Sequence, residues 1–223
     1  MGQSAAKECC VDERQNGPVM DSAAGPAAEQ ISGRVALGGG CFWGVEHYMT
    51  KSKWSYCGKE LFSYVAHEWC TLDFQNRFPK SIQKCRVGFM SPNPSAKRQQ
   101  ITYQEVWRGK SGYVEVLIVE LQDPQAHFED LIRFFFGIHD PTTMNRQGAD
   151  RGSQYQSIIF CADECQTQIV NKVKEELRQL LDCGAIQCFE RKTVQTQIVD
   201  MTNFIEAAEK HQNYLSKHPN GYW

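Results

Sequence analysis

The chain has 223 residues, 41% of them hydrophobic, and a net charge of −2. That is one medium domain with enough apolar material for a core and no basic excess for a nucleic-acid surface. No apolar run approaches the roughly 20 residues a membrane-spanning helix needs. Ten cysteines at irregular spacing, with no recognisable export signal, predict a reducing, cytoplasmic setting rather than a disulfide framework.

Residues 1–32 are rich in Ala, Gly, Ser, Gln and charge, and read as a disordered tail ahead of a domain spanning 33–223. Gly2 and Cys9-Cys10 could take two acyl chains, although Ala6 stands where a myristoylation signal expects Ser or Thr. Membrane association is therefore expected only if these positions are acylated. Val35-Ala36-Leu37 reads as a short strand, and Phe42 to Met49 as a helix. Between them three glycines lead into Cys41, which places that thiol at a helix start. Residues 50–84 are aromatic-rich without a clean period and read as an atypical insertion, either a surface layer or a non-native segment.

Further on, Tyr113 to Val119 predicts a buried strand and Phe128 to Phe136 a helix stopped by His139-Asp140-Pro141. Tyr155 to Cys161 predicts a strand, residues 164–182 a strongly amphipathic helix, and Val194 to Val199 a third strand. Phe204 to Leu215 reads as a final helix. Strands alternating with helices point to a two-layer α/β sandwich.

The cysteines admit three chemistries. Cys161-x3-Cys165 and Cys183-x4-Cys188 look like two zinc-ligand pairs, but the helix between them sets Cys165 and Cys183 roughly 27 Å apart, too far to share an ion. A cysteine hydrolase needs a histidine base within reach of Cys41. His47 lies more than a turn away on the same helix, and His139 or His211 could approach only through the fold. A redox thiol fits Cys41 better: a helix N-terminus favours the thiolate, glycines leave room at the sulfur, and Phe42 and Trp43 offer an apolar wall. On this chemistry alone a reactive Cys41 and a buried structural thiol both stay open.

Several motifs together go further. Gly40-Cys41-Phe42-Trp43-Gly44, Thr102-Tyr103-Gln104-Glu105-Val106, His139-Asp140-Pro141-Thr142-Thr143 running on to Asp150, Gly152-Ser153-Gln154-Tyr155, His211-Gln212 and Pro219-Asn220-Gly221-Tyr222 stand in this order. The set resembles the type A peptide methionine sulfoxide reductases over residues 34–49 and 86–222. The resemblance implies an α+β fold, a two-layer sandwich with a mixed sheet and a ferredoxin-like core. It also implies thiol-dependent reduction of methionine S-sulfoxide, free or in oxidised proteins. Cys41 would be the nucleophile and pass through a sulfenic acid. Glu105, held protonated by partial burial, would be the acid, and Tyr155 a hydrogen-bond donor to the sulfoxide oxygen. Phe42 and Trp43 would enclose the methyl group, and Asp150 would position the substrate.

Three departures from the family pattern shape the remaining expectations. Val87-Gly88-Phe89 stands where the family has Val-Gly-Tyr, so Phe89 can pack against substrate but cannot donate a hydrogen bond. Trp223 stands where many members have a resolving cysteine. Resolution then falls to Cys188 or Cys183, or to an external thiol such as thioredoxin, glutaredoxin or glutathione. The third departure is the insertion at about 50–84. No bound cofactor and no metal are expected, and the chain is expected to act as a monomer. A reductase-like protein that binds oxidised methionine without efficient turnover is the alternative.

Overall fold

The computed structural model describes residues 30–50, 74–96 and 98–218. Its strands are β1 (Arg34–Gly39), β2 (Ile82–Met90), β3 (Val114–Leu121), β4 (Arg146–Gln147), β5 (Asp150–Arg151), β6 (Ser157–Cys161), β7 (Gln197–Asp200) and β8 (Ile205–Glu206). Its helices are α1 (Phe42–Thr50), α2 (Phe74–Arg77), α3 (Tyr103–Trp107), α4 (Pro124–Gly137), α5 (Glu164–Asp182) and α6 (Tyr214–Lys217). The fold is α+β. Six strands form one mixed sheet in the order β7-β6-β1-β3-β2-β8, with β6 and β7 parallel and every other pair antiparallel.

The period-two rule divides the sheet into two faces. Val35, Leu37, Val87, Leu117, Val119 and Ile159 pack with the helices in the larger core. Ala36, Val116, Ile118, Ile158 and Phe160 point the other way, beneath Val199, Met201 and Phe204. On the helix side, α4 contributes Phe128, Leu131, Ile132 and Phe135. Each such side chain contributes roughly 1.5–3 kcal/mol when taken from water. Glu115 falls on this same face, between Val114 and Val116 in a strand that is otherwise apolar through Val119.

Several boundaries differ from expectation, each for a local reason. Ile31 packs on the core and the Ser32 amide donates to Asp163 (2.7 Å), so order begins before residue 33. Helix α4 starts a turn early because Asp123 caps the Ala126 amide and Pro124 occupies the first turn. Tyr155 ends a 3-10 turn, and the strand begins only at Ser157. Strand β7 starts at Gln197, later than Val194.

The final helix expected over Phe204 to Leu215 is absent. Ile205 and Glu206 pair with Phe89 and Gly88 as an edge strand, a 3-10 turn covers Glu209–His211, and Asn213 at φ 52 leaves only the short α6. Gln212 is fully buried. Its side chain accepts from the Val87 amide and donates to the Val87 and Ala207 carbonyls, all at 2.9 Å. Gly88 lies under this strap. A Cβ there would stand 2.5 Å from the Ile205 carbonyl and from the Phe204 ring.

Part of the expected insertion is core. Phe74 is fully buried with ring centroids 5.6 Å from Phe134 and 4.9 Å from Phe78, and Ile82 opens β2. Residues 51–73 lie outside the described residues, as do Gly2, Cys9-Cys10 and Pro219 to Trp223.

Candidate active site

A glycine turn carrying Cys41 joins β1 to α1. Gly40 at φ +93 turns the chain in a region that other residues rarely adopt, and a Cβ there would meet the Gln147 side chain at 2.7 Å. Gly39 is equally confined, its missing Cβ falling 3.0 Å from Phe135 and 3.1 Å from His139. His139 is wholly buried and pushed down to about 4 by burial, so it is neutral. Its Nδ1 donates to the Phe135 carbonyl (2.7 Å), which leaves Nε2 to accept from Ser157 (2.7 Å). Ser157 Oγ in turn accepts from Thr196 (2.7 Å). This buried chain supports the floor beneath the glycine turn.

Cys41 follows, partly exposed, and its carbonyl accepts the Gly44 amide (3.0 Å) to open α1. The amides of Trp43 and Gly44 pull the thiol pKa down, as a helix start should. They lose, however, to burial and then to the neighbouring Glu115, so the resting thiol is pushed well up. The expectation of a lowered thiol is corrected: in the unliganded site Cys41 is a thiol, and its proton needs somewhere to go.

Glu115 is the group that sequence reasoning missed. It is 1% exposed, and one oxygen accepts the Phe42 amide (3.1 Å). Its other oxygen is buried without a hydrogen-bond partner among the described residues. Burial pushes its carboxyl up to about 8, against the pull of the Phe42 amide, so it is mostly protonated at neutral pH. A protonated carboxyl beside a thiol has a proton it can give to an acceptor placed between them. The sequence signal was a lone carboxylate inside an apolar strand.

Glu105 stands elsewhere. It lies on α3, where it completes a capping box with Thr102 and pairs with Arg98 at 2.7 Å. Those hydrogen bonds hold its carboxyl down at about 2, so it is ionised and already engaged. It does not fit the role of a protonated donor, and that expectation is corrected. The residue of the same segment that faces the site is Tyr103, which the sequence reading passed over.

Tyr103 and Tyr155 both feel the charges of Glu115, Asp150 and Cys41, and burial followed by Glu115 pushes both phenols up. Both are therefore neutral O–H donors. Asp150 is also raised, by partial burial. Phe42, Trp43 and Tyr103 form an aromatic wall with His211: Tyr103 stacks on His211 at 4.6 Å and Trp43 on Tyr214 at 4.0 Å. Phe89, 1% exposed, lies behind the wall with its ring 5.7 Å from Phe42 and its backbone in register with Glu115. Glu46 of α1 ties down the far side, accepting the Asn213 amide at 2.9 Å.

Cys183 and Cys188 are both exposed. Cys183 caps the end of α5, and Cys188 lies in the segment that docks on residues 140–147. The Glu190 amide donates to Asp140 (3.0 Å), the Arg191 amide to Thr142 (3.0 Å), and Arg146 pairs with Glu190. Gln147, which abuts Gly40, bonds Asp140 in both directions. The docked segment thus reaches the glycine turn before Cys41 through one intervening loop.

Comparison with known proteins agrees with this geometry. The family profile for peptide methionine sulfoxide reductase matches residues 68–223. The peptide methionine sulfoxide reductase MsrA of Clostridium botulinum (strain Okra) is 31% identical over 191 residues, covering 84% of this chain and 94% of the relative. The Saccharomyces cerevisiae peptide methionine sulfoxide reductase is 30% identical over 199 residues, covering 88% of each. Among solved structures, reduced Mxr1 of Saccharomyces cerevisiae aligns with TM-score 0.62 at 30% identity, covering 85% of this chain and 87% of that one. By these matches the chain belongs to the peptide methionine sulfoxide reductase family, enzymes that return oxidised methionine to methionine.

Proposed function

We propose that Cys41 and Glu115 together carry out the reduction of methionine S-sulfoxide. The carrying observation is the buried Glu115 oxygen that lacks a partner next to the Cys41 thiol. A sulfoxide oxygen placed there accepts a hydrogen bond from the protonated carboxyl and from the Tyr103 and Tyr155 hydroxyls. That makes the sulfoxide sulfur more electrophilic. The Cys41 sulfur bonds the sulfoxide sulfur as its proton passes to Glu115 and Glu115 delivers its own to the oxygen. The S–O bond breaks, and the released hydroxide then bonds the Cys41 sulfur, which breaks its bond to the methionine sulfur. Methionine leaves as the thioether, and Cys41 is left as the sulfenic acid, with no net proton gained or lost. Tyr103 supplies the hydroxyl that Phe89 lacks, so the Val-Gly-Phe segment costs the site no donor. Phe42, Trp43 and His211 take the methyl group, and Asp150 holds the substrate backbone.

Two equivalents of thiol restore Cys41, giving water and a disulfide. Cys188 is the first internal candidate for resolver, since its segment docks on the loop that abuts Gly40, and Cys183 the second. The final reductant is an external thiol of the thioredoxin, glutaredoxin or glutathione type, acting on a monomer in a reducing, cytoplasmic setting. The central strands β6-β1-β3-β2, antiparallel throughout with α1 and α4 as crossovers, support reading the core as ferredoxin-like.

Incubation with each epimer of a methionine sulfoxide peptide and dithiothreitol tests the reading. Methionine should appear from the S epimer alone, and Cys41→Ser should abolish it. Release from both epimers, or turnover by the serine variant, overturns it. In the same assay driven by thioredoxin, Cys188→Ser should slow steady-state turnover while leaving the first turnover intact.

A further inference from the structure

Among the described residues the large hydrophobic side chains that face solvent are Trp107, 60% exposed, and Met144, 61% exposed. Scattered exposed apolar residues need no explanation. These two are not scattered, because both are anchored to the same corner of the site. Trp107 ends α3, four residues after Tyr103, and that spacing puts the two rings on one side of the helix. Its carbonyl accepts from the buried Gln154 side chain at 3.0 Å, and Gln154 directly precedes Tyr155. Gly109 and Gly152 lie close against that same amide: a Cβ at either would stand 3.0 and 2.2 Å from Gln154 Oε1. Met144 directly precedes Asn145, whose carbonyl accepts the Gly152 amide at 2.8 Å. The β4–β5 pair then carries the chain from Arg146 to Asp150.

Gln154 and Gly152 therefore tie the backbone of Trp107 and that of the residue after Met144 to the one short segment that leads into Tyr155. The fold anchors the backbone at Trp107 and beside Met144 and leaves both side chains exposed. A methionine sulfoxide side chain inserted toward Cys41 leaves its own backbone at this rim. In an extended peptide, neighbouring residues follow at about 3.3 Å per position, so residues within a few positions of the sulfoxide pass over the flanks.

We propose that Trp107 and Met144 form an apolar docking rim for the polypeptide that carries the sulfoxide, contacting hydrophobic side chains next to the oxidised methionine in sequence. The occupant is an extended or locally unfolded segment of an oxidised protein. The chain accordingly discriminates among methionine sulfoxides by the side chains that flank them in sequence. This rests on the reductase reading of the Cys41 site and adds to it the source of its substrate preference.

Both substitutions are at the surface, and the bond from Gln154 reaches the Trp107 backbone, so a Trp107→Ala, Met144→Ala double variant keeps its fold. Steady-state rates would be measured on three substrates: free methionine S-sulfoxide, a hexapeptide with the sulfoxide between leucines, and one with it between glycines. The unsubstituted enzyme should prefer the leucine peptide. The double variant should lose about tenfold in kcat/KM on it, about 1.4 kcal/mol, mostly through KM, with free sulfoxide changed less than about twofold. Equal rates on the two peptides before substitution, or an equal loss on all three substrates after it, overturn the rim. Failure of the unsubstituted enzyme to reduce even free sulfoxide is a different result, and sinks the reading of the site itself.

Discussion

Replacing Glu115 by Gln removes one proton and little else. The amide oxygen still accepts from Phe42, the side-chain volume is kept, and no charge needs to be buried. Two magnitudes follow. A carboxyl raised to about 8 is protonated in roughly nine molecules of ten at pH 7. Its loss should lower the single-turnover rate by about a hundredfold or more, the usual range for a positioned general acid. In the unsubstituted enzyme that rate should be flat below pH 7 and fall above about pH 8, while the Gln variant lacks this limb.

The second magnitude is thermodynamic. The folded state holds the Glu115 proton between pH 4.5 and about 8, where the unfolded chain has released it. Stability must therefore fall as pH rises through that window. The loss is on the order of 5 kcal/mol by pH 9, and the Gln variant should escape it. Methionine release in rapid quench, and urea unfolding at pH 5 and pH 9, measure the two effects on the same preparations. A Gln variant within threefold of the native rate, or one that loses stability from pH 5 to pH 9 as steeply as the native chain, would refute the assignment of a buried, protonated acid.

Other perturbations separate the remaining parts. Tyr103→Phe and Tyr155→Phe should each lower kcat about tenfold with little change in KM, and the double variant should lose more than either; Glu105→Gln, in the same assay, should stay near the native rate. Gly88→Ala should destabilise the fold by about 1–3 kcal/mol in thermal unfolding, because its Cβ would stand 2.5 Å from the Ile205 carbonyl.

What could be read from the sequence followed a physical divide. The strand, glycine turn and helix around Cys41 were legible because glycines, cysteine and aromatics act locally: Arg34–Gly39 forms the strand, and Phe42 opens the helix. Helix α5 was legible because its apolar stripe is regular over 19 residues. The buried carboxyl was not, since Glu115 is set apart only by burial in the folded core, whereas Glu105 sat in a recognisable motif. In the structure that motif's carboxylate caps α3, and its neighbour Tyr103 faces the chemistry. The Cys41 thiol shows the same limit, because the helix-start amides visible in the sequence are outweighed by desolvation. Strand β2 escaped because Lys84 and Arg86 interrupt its apolar pattern on the exposed half. The C-terminal segment looked helical, but pairing with β2 claimed Ile205 and Glu206 first.

That C-terminal strap has one further consequence. β8 covers only two residues of β2, and beyond it the Gln212 amide serves both the donor and the acceptor of Val87. A side chain here stands in for a strand, closing an edge that would otherwise be a template for another chain's backbone. The same few residues bring His211 and Tyr214 against Trp43. Peeling the strap away would therefore dismantle the substrate wall and uncover the sheet edge in one event. A damaged molecule would lose its activity as it became prone to aggregate, and an enzyme that still turns over is one whose edge is still closed.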